Sequence, residues 1–252
     1  MVTRFRFAVA AGAAVVALAC PAVRPVLAQD EPPQIVKRAV ADYAANHRGN
    51  LAFSRHLTFA MQVGPLKKNV RNEIGILMRD GEYVKTKYYS AETNGKPDGD
   101  AALRREEQKA NDDLAAGRGF FKRPIDPRFV DDYKFEVAAC ACGREEEKVK
   151  FTSLVRDAQH GDGTMVIDKN TGHVQTIEYD MNKPPDHASN GHAVETYGEA
   201  ISGLWTCTKV EETYDGRVGF VGGTASLSYT LDHFKRFAQS DAALAAITNR
   251  TL

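Results

Sequence analysis

The sequence predicts a mainly β fold with helices packed on the sheet, of the α+β class. Three observations point there. Residues 56–90, HLTFAMQVGPLKKNVRNEIGILMRDGEYVKTKYYS, form three apolar–polar alternating runs separated by turn residues. A second hairpin of the same character, GTMVIDKNTGHVQTIEYDM, occupies 163–181. Ahead of both, residues 34–47 carry Ile35, Val36, Ala39, Val40 and Tyr43 at helical spacing, with Lys37, Arg38 and Asp42 on the other side.

The first 28 residues stand outside this pattern. Arg4 and Arg6 make a basic start, 7–19 is apolar, and Val26-Leu27-Ala28 offers a small-residue cleavage site before Gln29. This reads as a secretory signal peptide, the apolar run being short for a membrane span. A rival cut at Ala17-Leu18-Ala19-Cys20 would leave a lipoprotein anchored through Cys20. The expected location is therefore periplasmic or secreted. Residues 29–252 are expected to form one domain, a length that can bury a full core, with no transmembrane segment.

Charge excludes some partners. Lys and Arg total 33 and so do Asp and Glu. The signal segment holds Arg4, Arg6 and Arg24 and no acid, so the remainder is slightly acidic. No field of one sign points to nucleic acid or to an anionic membrane.

The elements follow in chain order. Residues 29–34 are a ragged, Pro-rich start. The helix at 34–47 has Pro33 near its first turn, where Pro is tolerated, and ends at Gly49-Asn50. Leu57, Phe59, Met61 and Val63 give the first strand its apolar face, and Gly64-Pro65 breaks it. Val70, Ile74, Ile76 and Met78 line the second strand. Asp80-Gly81 supplies the tight turn to the third, over 83–89. Residues 91–100 read as a loop from which Asp98 or Asp100 can cap a charged helix over 101–116, stopped by Gly117. Its thin apolar stripe makes it a solvated helix or a lid on the sheet. Phe120, Phe121, Pro124 and Pro127 mark an extended crossing with aromatic anchors.

Strands then follow around Tyr133–Val137, 149–155, 164–167 and 174–181, the last two joined by Asp168-Lys169-Asn170-Thr171-Gly172. Residues 182–194 read as a long polar loop with His187 and His192. The run 204–210 alternates through Trp205, and 216–223 is Gly-rich turn chemistry without the strand-then-helix phosphate-loop pattern. Leu227, Tyr229 and Leu231 share one face of the last strand. Phe234 and Phe237 fall out of phase, which predicts a bulge or strand end. Ser240 can cap a short terminal helix.

Of the four cysteines, Cys140, Cys142 and Cys207 lie beyond the signal segment. In an oxidising compartment two can pair and one stays free. Cys140 and Cys142 point the same way on one strand, so Cys207 bridges to one of them at most. Cys-x-Cys without a second motif, and histidines 160, 187 and 192 without partners at fixed spacing, give no metal set. No Gly-x-Ser-x-Gly elbow and no His-Glu-x-x-His is present. The residues therefore point away from an enzyme, and no cofactor is implied.

The order of these elements, with Gly163, Met165, Ile167, Asp168, Thr171, Gly172 and Ile177 in the second hairpin, resembles the outer-membrane lipoprotein-sorting superfamily of bacterial envelope proteins, which includes the lipoprotein carriers and their receptor. The likeness is specific at 56–90 and 163–181. The charged middle helix, the Phe-Pro crossing and the Cys-x-Cys strand depart from the pattern on which the resemblance rests. The resemblance implies a curved antiparallel sheet forming an incomplete barrel, helices packed on its concave face, and an apolar groove for a lipid, an acyl chain or another hydrophobic ligand. Leu57, Phe59, Met61, Ile74, Ile76 and Met78, then Trp205 and Tyr229, are the candidate lining. A filled core wants the same side chains as a cavity. A structural or protein-interaction module of the envelope therefore stays open beside the ligand-binding reading, and a hydrolase with its site spread over loops such as 182–194 stays behind both.

Overall fold

The computed structural model describes residues 31–118, 120–139, 143–185, 188–218 and 221–252. The expected cleavage site at Ala28 and Gln29 lies outside them, as do Cys20, Cys140, Cys142 and His187.

Helix α1 (Gln34–Asn46) leads into β1 (Asn50–Val63), β2 (Leu66–Arg79), β3 (Glu82–Thr93) and the two-residue β4 (Lys96–Pro97). Helix α2 (Asp100–Ala115) and a 3₁₀ turn (Val130–Asp132) come next. Then follow β5 (Tyr133–Ala138), β6 (Glu146–Ser153), β7 (Gly161–Asp168), β8 (Val174–Met181), β9 (Ala188–Ile201), β10 (Leu204–Val218), β11 (Val221–Phe237) and α3 (Ser240–Asn249). All the strands join one 11-stranded sheet in the order β4-β3-β2-β1-β11-β10-β9-β8-β7-β6-β5. Every pairing is antiparallel, and the two edges do not meet, so the barrel is incomplete. Chain neighbours pair throughout, with the exception of β1 and β11, which join a β1–β4 half to a β5–β11 half.

The turns follow their chemistry. Asp80 and Gly81 have φ of 48° and 83°, as a two-residue hairpin of matching twist requires. Asn94 and Gly95 repeat this at 52° and 78°, so the expected loop at 91–100 is a second tight hairpin. Likewise β9 begins at Ala188 inside the expected polar loop. Asp168 Oδ1 accepts from the amides of Asn170 and Thr171 and from the Thr171 hydroxyl, at 2.8–2.9 Å. Those bonds hold its carboxyl below the usual range. Arg38 of α1 donates to the carbonyls of Lys169 and Asn170, so this loop also moors the helix. Gly163 is required where β7 and β8 close up, since a Cβ there would stand 2.0 Å from the Glu178 carbonyl oxygen.

Alternation along β1 sends Leu51 and Phe53 to the concave face and Ala52 to the outer one. On the concave face Ile35, Val36, Ala39 and Tyr43 of α1 pack with Ile125 of the crossing and with residues from β1, β2 and β5–β11. The expectation of helices on that face holds for α1. Helix α3 lies on the outer face, where Ala243 and Ile247 cover Ala52 and Leu77.

Helix α2 buries no residue fully and is not a lid. It covers the sheet edge instead. Asn111 Oδ1 accepts from the Thr86 amide and its Nδ2 donates to the Thr86 carbonyl, at 2.9 and 3.1 Å, while Glu107 accepts from the Tyr88 amide at 3.2 Å. Side chains thus stand in for a missing strand. Its N-cap is Gly99 with no side-chain cap, so neither Asp98 nor Asp100 plays the expected role. Asp100 sits in the first turn instead, where its charge suits the helix dipole. Likewise Gln239, rather than Ser240, is the N-cap residue of α3.

Among the described residues no helix is long and apolar enough to cross a membrane.

Candidate functional site

Strand length outruns helix length on the concave face. The 14 residues of β1 reach roughly 46 Å at ~3.3 Å each, and the 13 of α1 reach roughly 20 Å at ~1.5 Å each. The helix and the crossing therefore fill one end of the trough. The far end of β1, β10 and β11 stays uncovered.

At that end lies an apolar groove of about 360 Å³. Its lining includes Phe59, Met61 and Val63 of β1, Tyr214 of β10, and Ala225 and Leu227 of β11. The register sets them side by side, with Phe59 opposite Leu227, Met61 opposite Ala225, and Tyr214 next across from Ala225. At the hairpin tips beyond, Leu66 is 60% exposed and Val221 45%.

The eight expected lining residues therefore divide. Phe59 and Met61 line the groove. Leu57 is half-buried one inward-facing position further in, opposite Tyr229. Ile74, Ile76 and Met78 are buried in the filled core, within reach of α1 and the crossing rather than of solvent. Trp205 is half-buried against that core. Its indole N–H donates to the Val174 carbonyl at 2.7 Å, and its ring stacks on His173 at 4.5 Å. Tyr229 is half-buried beneath the Arg55 guanidinium, 5.5 Å from its ring centre. Val63, Tyr214, Ala225 and Leu227 line the groove without being among the eight. Leu227 shares the Tyr229 face in the sequence, the one signal pointing to it.

Polar groups mark the inner end. Arg55 shares the inward face of β1 with Leu57, and its buried Nε has no hydrogen-bond partner among the described residues. Glu212 of β10, directly opposite the groove's Leu227, receives the Tyr214 hydroxyl, and burial raises its carboxyl pKa against the pull of that bond and of Arg55. Deeper still, Arg123 pairs with Glu195, and the Tyr197 hydroxyl donates to Glu195 at 2.6 Å.

Cys207, a disulfide candidate in the sequence, is a free and buried thiol on β10, its pKa pushed up by burial. His192 is half-exposed beside Asp180 and Glu178. His160 is buried between Asp157 and Asp132, at 2.6 and 3.1 Å.

The fold and groove define an open antiparallel half-barrel, plugged at one end and apolar at the other. No protein-family model matches the chain, and no curated protein matches it in sequence. Solved structures similar to it include a putative outer membrane lipoprotein-sorting protein domain from Vibrio parahaemolyticus, with 10% identity, TM-score 0.44, and coverage of 84% of this chain and 97% of that one. A DUF1329 family protein from Desulfovibrio piger matches at 10% identity and TM-score 0.39, over 84% and 97%. A LolA superfamily protein from Nitrosomonas europaea matches at 14% and 0.33, over 85% and 98%.

Proposed function

We propose that this chain is an exported envelope protein that holds the alkyl chain of a lipid or acylated molecule at the open end of its concave face. The observation that carries the reading is the groove itself, whose lining is mostly apolar while α1 stops short of covering it. Each buried CH₂ contributes roughly 0.8 kcal/mol, so a chain of about a dozen carbons outweighs the lower range of association costs. Leu66 and Val221 at the mouth give an apolar landing for such a chain. Arg55, on the same face further in, offers a cation to a polar head group.

The test is native mass spectrometry of the protein purified from its own host's envelope, followed by organic extraction. A stoichiometric acyl species, lost in Leu227→Asp, supports the reading. A clean apo mass, with no thermal shift against a lipid panel, overturns it.

A second reading has its own support. Ile74, Ile76 and Met78 are filled core and Trp205 and Tyr229 pack against it, so five of the eight expected lining residues serve packing. A non-catalytic interaction module of the envelope then follows, and the clean apo mass would favour it.

A further inference from the structure

Three side chains with metal-binding atoms meet at the seam between the two halves of the sheet. His56 stands on β1, and Asp232 and His233 stand on β11. Asp232 Oδ1 lies 3.1 Å from His56 Nε2 and 3.1 Å from His233 Nδ1. One ligand atom from each of the three falls within 4.8 Å of the others, the one such group of His, Cys, Asp and Glu found among the described residues. We propose that they form a site for a divalent first-row transition ion such as Zn²⁺ or Ni²⁺, which ties β1 to β11.

The geometry fits an ion. Ligands at ~2.0–2.1 Å in a tetrahedron stand roughly 3.3–3.4 Å apart, so the two 3.1 Å separations need only a small opening. Two imidazoles and one carboxylate suit zinc, nickel, cobalt or copper and disfavour calcium and magnesium, which take oxygen ligands. Glu73 lies directly across β2 from His56, but Arg250 engages its carboxylate. Water would complete the shell. The three side chains are 40, 45 and 61% exposed, so an ion can reach them.

The backbone places the third ligand. His233 has φ of 52°, in the left-handed region that few residues other than glycine adopt, histidine more often than most. It sits in the bulge between the Ser54–Asp232 and Ala52–Lys235 pairs. The bulge turns Phe234 inward onto Phe53, with ring centres 4.9 Å apart. It thereby also sets His233 beside Asp232 at the surface.

The experiment uses EDTA-stripped protein, titrated with Zn²⁺ and Ni²⁺ by calorimetry and with Co²⁺ by visible absorption. One ion per chain is expected, with a rise in unfolding temperature. His56→Ala and His233→Gly should each weaken binding by more than the ~10–100-fold that loss of an outer partner costs. Glycine favours positive φ, so His233→Gly cannot lose the ion through backbone strain. His192→Ala removes the other exposed His-carboxylate group and should leave binding intact. No binding by the wild type, binding unchanged in both seam variants, or binding abolished by His192→Ala would each overturn the proposal.

Discussion

Arg123 donates two hydrogen bonds to Glu195, from Nε at 2.7 Å and from an Nη at 3.1 Å, with both side chains out of solvent. Burial works against the charge on Arg123, and the Glu195 carboxylate together with the nearby Tyr197, Tyr83 and Tyr43 overcomes it, so its pKa rises. The pair pins the crossing segment to β9, inside the filled end of the trough.

Removing one member should cost more than removing both. Glu195→Gln leaves a buried guanidinium without its counter-charge and should lose about 3–5 kcal/mol. Arg123→Met with Glu195→Leu should recover most of that loss. Urea denaturation of the two variants decides it, and equal losses would refute the coupling.

Two phenylalanines on the same face of β1 should behave differently. Phe53 is 1% exposed and stacked on Phe234, so Phe53→Ala should cost about 3–5 kcal/mol. Phe59 is half-buried and lines the groove, so Phe59→Ala should cost clearly less. It should instead weaken binding of an alkyl probe, read by fluorescence titration.

The mimicry of a strand by α2 predicts a change in association. Asn111→Ala leaves the Thr86 amide and carbonyl without their partner and should cost about 1–3 kcal/mol. The uncovered edge should also template self-pairing. Size-exclusion chromatography with light scattering should show dimers or larger species in the variant alone.

His47 makes stability fall in mild acid. Its Nδ1 faces the Tyr43 carbonyl at 2.8 Å and its Nε2 faces the Thr206 hydroxyl at 2.9 Å. Burial lowers its pKa from 6.5 to about 4. Between those values the unfolded chain binds the extra proton, so stability rises with pH there and is lost as pH falls toward 4. The loss is on the order of 3 kcal/mol. His47→Gln should be less stable at pH 7 and flatter across the window, as urea midpoints at three pH values will show.

The strands were legible because alternation survives in both halves, as in Leu57–Val63 and Leu227–Leu231. Asp80-Gly81 and the out-of-phase Phe234 marked a turn and a bulge that the structure contains. The end of the trough that stays open was not legible. Ile74 and Phe59 look alike in sequence, and only the length of α1 and the path of the crossing separate them. The two-residue pairing of Glu92 and Thr93 with Pro97 and Lys96 was hidden by polar neighbours, since an edge strand need not be apolar. His56 and Asp232 lie 176 positions apart, so no spacing rule could join them.

The seam has a consequence for how the molecule is made. Asn50 pairs next to Phe237, 187 positions later. Hairpins within each half close over short loops and form early. The ladder joining them must wait until most of the chain is available, and its loop-closure cost falls due before any reward. Until then β1 carries a bare row of amides and carbonyls along one side. The slow step of folding, and the moment of greatest exposure to misassembly, is therefore the arrival of β11.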